Sequence, residues 1–245
     1  MDNRLKIIAE NYENMKIGVD ESFHFHCKQC GKCCINREDI LLNAKDLYRL
    51  AKYLGVTPEQ FIKTYCEVYI GESSRIPIVR LKPQGSIKRC PLLKDRKCSV
   101  HQAKPVVCAM FPLGRCIRIE KDLQDVTDLT AGKIEYIFTR PNCGDSSETH
   151  TVREWLEEFG IPVEDEFFVQ WHRTIASLSV SFHKMEEERP KEFMSVIWNV
   201  AINALYLHYD MTRGFEEQFA ENAEILLDFI KFLPTLEEDD YNDGD

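Results

Sequence analysis

Cys27-Lys28-Gln29-Cys30-Gly31-Lys32-Cys33-Cys34 sets four thiols within eight residues. Sulfurs this close have little packing use in a folded chain, and Cys-x-x-Cys spacing lets two of them reach one metal ion. A thiolate must lose its proton to act as a ligand, and gathered thiolates repel one another unless a cation sits among them. The run therefore predicts a chain organised around a metal or an iron–sulfur cluster. Gly31, in its middle, permits the turn and close backbone approach that a cluster-binding loop needs.

A second set follows as Cys90-Pro91-x6-Cys98-x2-His101-x6-Cys108, with Cys116 and Cys143 beyond it. The spacing Cys27-x2-Cys30-x2-Cys33 matches the three-ligand loop that bacterial ferredoxins wrap around a cubane [4Fe–4S] cluster, whose fourth sulfur comes from far along the chain. Cys90-Pro91 resembles that remote ligand, whereas Cys98 and His101 are spaced like a zinc pair. Adjacent side chains usually diverge, so Cys34 is expected to serve a second metal or to act as a resolving thiol. Eight or more ligands exceed the need of one tetrahedral ion, which predicts two centres, or one cluster with spare thiols. Cys66 reads as a buried small hydrophobe and stays outside the site, and Cys116, in an apolar strand-like stretch, is unassigned.

Composition sets the compartment and the class. With 245 residues, 44% of them apolar, the chain can bury its own core and does not need disulfides to fold. Met1 to Lys16 holds no uninterrupted apolar stretch of the signal-peptide kind, and a cytoplasmic location with reduced thiols is expected. The most apolar later segment, Val196 to Leu207, is cut by Asn199 and Asn203, so no membrane span is expected. Six acids and no base fall in Glu237 to Asp245, a large part of the net charge of −10, and this tail is expected to be disordered. No basic stripe is present, which argues against nucleic acid as a partner.

The periodicities predict an α+β fold, predominantly α-helical: a cysteine-rich metal-binding module with short β-strands, and a C-terminal helical bundle. Asn43 caps a helix through Leu54 that Gly55 ends, and Thr57, Pro58 and Gln60 open a second helix with Phe61, Tyr65 and Val68 inward. Strands are expected over Ile76–Leu81, Ile134–Phe138 and Cys116–Ile119. Cys90 to Pro112, broken by three prolines, reads as turns and short helices. Three helical faces follow: Trp171, Ile175, Leu178 and Phe182; Phe193, Ile197, Val200 and Ala204; and Phe219, Leu226, Phe229 and Leu233. His172, His183 and His208 on these helices read as surface or satisfied core groups. The expected organisation is an N-terminal helix or extension over 1–20, the metal-binding module over 21–149, the helical region over 150–234 and the acidic tail over 235–245.

Taken together, Cys27-x2-Cys30-Gly31-x-Cys33-Cys34, Cys90-Pro91-Leu92 and Cys98-x2-His101-x3-Pro105-x2-Cys108-x2-Phe111-Pro112 resemble the CxxCxxCC cysteine-cluster family. That family is a zinc- or iron-chelating domain and includes flagellin lysine N-methylase. The resemblance covers about residues 20 to 145. It implies Cys27, Cys30, Cys33, Cys34, Cys90, Cys98, His101, Cys108 and Cys143 as metal-site positions. Where family patterns often carry an arginine before the conserved proline, this chain has Lys104, which keeps the charge and loses the planar fork.

Three functions are compatible with these residues. The first is an iron–sulfur protein working in electron transfer or cluster-dependent chemistry, with a protein redox partner. The second is a zinc protein whose helical half binds a partner. The third, by analogy with the family, is an enzyme acting on a protein substrate. His24 and His26 could line an opening for the third, although an exposed strand edge is the expected reading. No glycine-rich loop for a nucleotide-like methyl donor and no serine triad are found.

Overall fold

The computed structural model describes residues 3–118 and 132–233; Ile119 and the acidic segment 235–245 lie outside the described residues. In chain order the regular elements are α1 (Asn3–Met15), β1 (Lys16–Ile17), β2 (Ser22–His26), β3 (Leu41–Leu42), α2 (Ala44–Leu54), α3 (Pro58–Tyr65), β4 (Cys66–Ile70) and β5 (Pro77–Leu81). They continue with β6 (Leu93–Lys94), β7 (Lys97–Cys98), α4 (Val106–Met110), β8 (Leu113–Arg118), β9 (Lys133–Phe138), β10 (Asp145–Thr151), α5 (Val152–Glu158), α6 (Glu166–Glu188), α7 (Lys191–Ile202) and α8 (Phe215–Phe232). The fold is mixed α+β and leans helical. Among the described residues no helix is long and apolar enough to cross a membrane.

The chain packs as two units, and each is discontinuous. One runs up to Ile40 and resumes from Leu81 to Val169; the other takes Leu41–Arg80 and everything from Gln170 onward. The Leu81 amide donates to the Ile40 carbonyl at 3.0 Å, which closes the excursion where it began.

The first unit is built on two antiparallel sheets, β1-β9-β8 and β10-β2. Strand β2 alternates as a one-sided strand should: Phe23 and Phe25 are buried, while His24 and His26 face outward. Phe23 and Phe25 join Met110, Leu113, Tyr136, Val152, Trp155 and Leu156 in one apolar core. Trp155 is central there, edge-on to both phenylalanines, and its indole N–H donates to the Met110 carbonyl at 3.2 Å. Thr151 and Glu154 form a reciprocal capping box that starts α5 directly at the end of β10.

A buried ion pair ties this sheet to the start of α6. Arg115 on β8 meets Asp165 at 2.9 Å, with both side chains less than a tenth exposed, and its guanidinium lies 3.9 Å from the centroid of the Phe168 ring. Asp165 also caps α6, its Oδ1 accepting from the Phe168 amide at 3.1 Å.

The second unit is helical around a small sheet, β3-β5-β4. Helix α2 starts at Asn43, whose side chain accepts from the Asp46 amide, and ends at Gly55; α3 opens on the Thr57–Gln60 capping box, as the sequence predicts. It stops at Tyr65, earlier than expected, because the chain turns at Cys66 into β4 and leaves Val68 exposed. Leu47, Leu50, Phe61, Val79, Leu178, Phe182, Ile197 and Phe219 are buried here. Helix α7 relaxes into one π turn at Asn203–Leu207, closed by the His208 amide on the Asn203 carbonyl. In α8 the buried face is Phe219, Ala223, Leu226 and Ile230, while Phe229 turns out, so the apolar face is rotated from the one read in the sequence.

Candidate metal centre

Every candidate ligand lies in the first unit, and Cys66 alone of the cysteines lies in the second, buried at the start of β4. After β2 the chain passes Gln29 and Gly31 in the left-handed region and tightens into a 3-10 turn over Lys32–Cys34. A Cβ on Gly31 would stand 2.8 Å from the Arg96 carbonyl oxygen, so this loop is pressed against the β6–β7 hairpin and needs glycine for both reasons. Gly31→Ala is accordingly expected to cost more than about 1 kcal/mol. Urea denaturation of the metal-loaded protein measures it, and an unchanged midpoint would remove Gly31 from the architecture of the site.

Backbone pairing brings the second cysteine segment alongside the first. The Cys90 amide donates to the Cys34 carbonyl at 2.8 Å, the Asn36 amide to Ile87 at 3.0 Å, and the Arg37 amide to Lys88 at 3.3 Å. Beyond Cys90, the β6–β7 hairpin turns through Asp95 and Arg96, both with positive φ, and pairs Leu93 with Cys98. A 3-10 turn then carries His101, and α4, started at Pro105, carries Cys108.

The product is a cavity of about 300 Å³ whose lining includes Cys27, Cys33, Cys34, Cys90, Cys98, Cys108 and His101. Phe111, Trp155 and Phe159 form an apolar wall, with Arg37, Lys104, Glu148 and Glu158 as its charged groups. Glu148 sits in the irregular stretch of β10, where the register with β2 slips between Asp145 and Thr149. It comes within 3.7 Å of His26 Nε2 and 3.4 Å of His150 Nε2. Cys30 and Cys143 lie apart from this lining.

These positions regroup the cysteines. The spacing joins Cys27, Cys30 and Cys33 in one loop and sends Cys34 elsewhere. Instead Cys34 shares the cavity with Cys33, their sulfurs 3.9 Å apart, because the tight turn keeps the two adjacent thiols together. Cys30 is absent from that lining. Cys116 belongs to neither group: its sulfur is 3.1 Å from the Tyr12 hydroxyl. His24 and His26 occupy the outward face of β2, and His26 also lines the cavity whereas His24 does not.

Electrostatics divide the thiols further. Burial pushes Cys90, Cys98 and Cys108 above the ordinary thiol range. The hydrogen bond from Cys34 holds Cys33 below that range, helped by the charges of Arg37 and Lys104, while donating that bond keeps Cys34 protonated. Burial, and then Lys104, lower His101, leaving its imidazole neutral at pH 7. Arg37 is the cation that spacing alone did not single out. It donates to the Cys33 carbonyl at 3.3 Å, pairs with Asp39 at 2.6 Å, and favours the ionised forms of Cys33, Cys90 and Cys108.

The donor set of six thiols and one neutral imidazole fits a thiophilic metal. Among the described residues, no three His, Cys, Asp or Glu side chains already share one coordination sphere. Ligation of one ion by three of these groups would require the sulfurs to move inward.

Residues 26–133 match the family model CxxCxxCC, described as "Putative zinc- or iron-chelating domain". The protein of Methanocaldococcus jannaschii named "Uncharacterized protein MJ0661" is 30% identical over 114 residues, covering 43% of this chain. The chain spans 56% of that relative's length. No solved structure matches. The cysteine segment is thus similar to a zinc- or iron-chelating domain.

Proposed function

We propose that this protein holds an iron–sulfur cluster in the cysteine-lined cavity and works in electron transfer or cluster-dependent chemistry. One observation carries the reading: six thiols line a single space of about 300 Å³, more sulfur and more room than one tetrahedral ion uses. When bound, such a cluster supplies one-electron chemistry. This chain's own part is to gather the thiolates, offset their charge with Arg37 and Lys104, and cover one side with Phe111, Trp155 and Phe159.

Protein purified under strict anaerobiosis is expected to be brown and to contain iron and acid-labile sulfide. A colourless protein carrying zinc alone would overturn the reading. Zinc is the second reading, and a specific distance favours it. Two thiolates bound at about 2.3 Å to one tetrahedral zinc stand roughly 3.8 Å apart, and Cys33 and Cys34 are separated by 3.9 Å. On that reading, metal analysis returns one or two zinc ions per chain and no sulfide.

A further inference from the structure

A second cavity backs onto the cysteine-lined one, and its fixed charges are of one sign. It measures about 520 Å³, and Cys33, Arg37 and Phe111 line both spaces. Its lining holds three cations, Lys32, Arg37 and Arg140, and no Asp or Glu among the described residues. The chain carries 41 Asp and Glu against 31 Lys and Arg, so a lining free of carboxylates runs against its composition. The adjoining cavity of about 1000 Å³ shares Arg140 but has Glu21 and Asp145 in its lining.

Two of the three cations are uncompensated. Arg37 pairs with Asp39 and donates to the Cys33 carbonyl. The Lys32 and Arg140 side chains are exposed and have no ion-pair or hydrogen-bond partner among the described residues. Backbone structure fixes where they stand. Lys32 opens the 3-10 turn that ends at Cys34. Thr139, its amide donating to the Pro112 carbonyl at 3.1 Å, takes the chain off the end of β9 just before Arg140. Phe111 supplies an aromatic wall, held edge-on to Phe25 with ring centroids 5.9 Å apart, and Ile35, 37% exposed, supplies an aliphatic one. Apolar walls with a few convergent polar groups, in a space of roughly 300–1,000 Å³, are the ordinary make-up of a small-molecule site.

We propose that this cavity binds a small organic dianion, a phosphate monoester or a dicarboxylate on a compact apolar body. Arg140 offers an unoccupied guanidinium fork that fits either headgroup bidentately, and Lys32 adds the second positive charge. Phe111 and Ile35 take the apolar body, and their low-dielectric surface strengthens the attraction of the cations. A ligand seated there lies against Cys33, which faces the inner cavity as well. The site needs the cations rather than a metal, so it stands or falls separately from the proposed function.

The test is isothermal titration calorimetry of the full chain at physiological ionic strength and mildly alkaline pH, with phenyl phosphate and phthalate as dianion probes. At least one is expected to bind with a dissociation constant of roughly 1 mM or tighter, modest for molecules of this size. Which of them binds separates a phosphate ester from a dicarboxylate. Inorganic phosphate lacks the apolar body and is expected to bind at least about 10-fold more weakly. Arg140→Ala and Lys32→Ala are each expected to weaken the organic probe at least about 10-fold, the loss of one charge-assisted contact. Both side chains are exposed, so neither change threatens the fold. Lys94→Ala removes an exposed cation outside the lining and is expected to leave the affinity unchanged. The site is overturned by no binding of either probe up to about 10 mM, by inorganic phosphate binding as tightly as the organic probe, or by equal losses in Lys94→Ala and Arg140→Ala. A chain that binds the probe but is purified without metal overturns the proposed function alone.

Discussion

Stripping metal from the anaerobically purified protein with a chelator at pH 7 is expected to release the backbone of residues 27–38 and 85–104 to hydrogen exchange by at least about 100-fold. Strand pair β2–β10 and helices α2 and α8 are expected to keep their protection. The magnitude follows from the free energy of structural metal binding, about 10–16 kcal/mol for zinc, set against a whole-domain stability of about 5–15 kcal/mol. These two segments have little else to hold them. Their buried apolar residues, among those described, are Leu92, Leu93, Val100 and Ala103. They also contain Gln29, Asn36, Lys88, Asp95 and Arg96, five of the six non-glycine residues with positive φ among the described residues. Each such conformation costs on the order of 1 kcal/mol or more and persists where its surroundings over-determine it. By contrast β2 is pinned by Phe23, Phe25 and Trp155, and α2 by Leu47 and Leu50, none of which needs metal. Equal exchange with and without metal would mean that the loops hold their shape unaided.

The second large effect is expected at Asp165. Removing one partner of a buried ion pair strands the other charge and typically costs about 3–5 kcal/mol, and Arg115 and Asp165 are both nearly inaccessible. Asp165→Ala also removes the cap on the Phe168 amide, worth about 1 kcal/mol. Asp165→Asn keeps an oxygen for the cap and loses only the charge, so the two variants separate the roles. Urea denaturation is expected to rank them wild type, then Asp165→Asn, then Asp165→Ala. A loss for Asp165→Asn within about 0.5 kcal/mol, the range of an ordinary surface change, would show that Arg115 finds other compensation.

Local features of this fold are legible in the sequence because they depend on near neighbours. Asn43 and Thr57 cap the helices they precede, and the β-branched run before Leu81 is a strand. Two errors have the same origin. Val68 continues the helical spacing of Phe61 and Tyr65, but the backbone extends at Cys66 and tertiary pairing decides. Phe229 is more hydrophobic in isolation than its position allows, and its neighbour Ile230 takes the buried place. In the site the list of cysteines was readable and their grouping was not. Spacing says which sulfurs lie near in sequence, whereas the Cys34–Cys90 backbone bond, which no spacing reveals, sets the two cysteine segments side by side. Arg37 carried no signal of its own; only its placement over the Cys33 carbonyl gives it a role.

The excursion of Leu41–Arg80 into the other packing unit has a meaning in time. Cys34 leaves the ribosome 56 residues ahead of its partner Cys90, an interval of about 3–10 s at ordinary synthesis rates. Throughout that interval the four leading thiols have none of the later cavity sulfurs to help hold a metal. The nascent chain thus offers oxidants and stray metals an incomplete site. The β3–β5–β4 sheet is completed within the same interval, so the second unit's first elements are available to fold before the site can close. Synthesis itself imposes an order in which these elements precede the closing ligands from Cys90 onward.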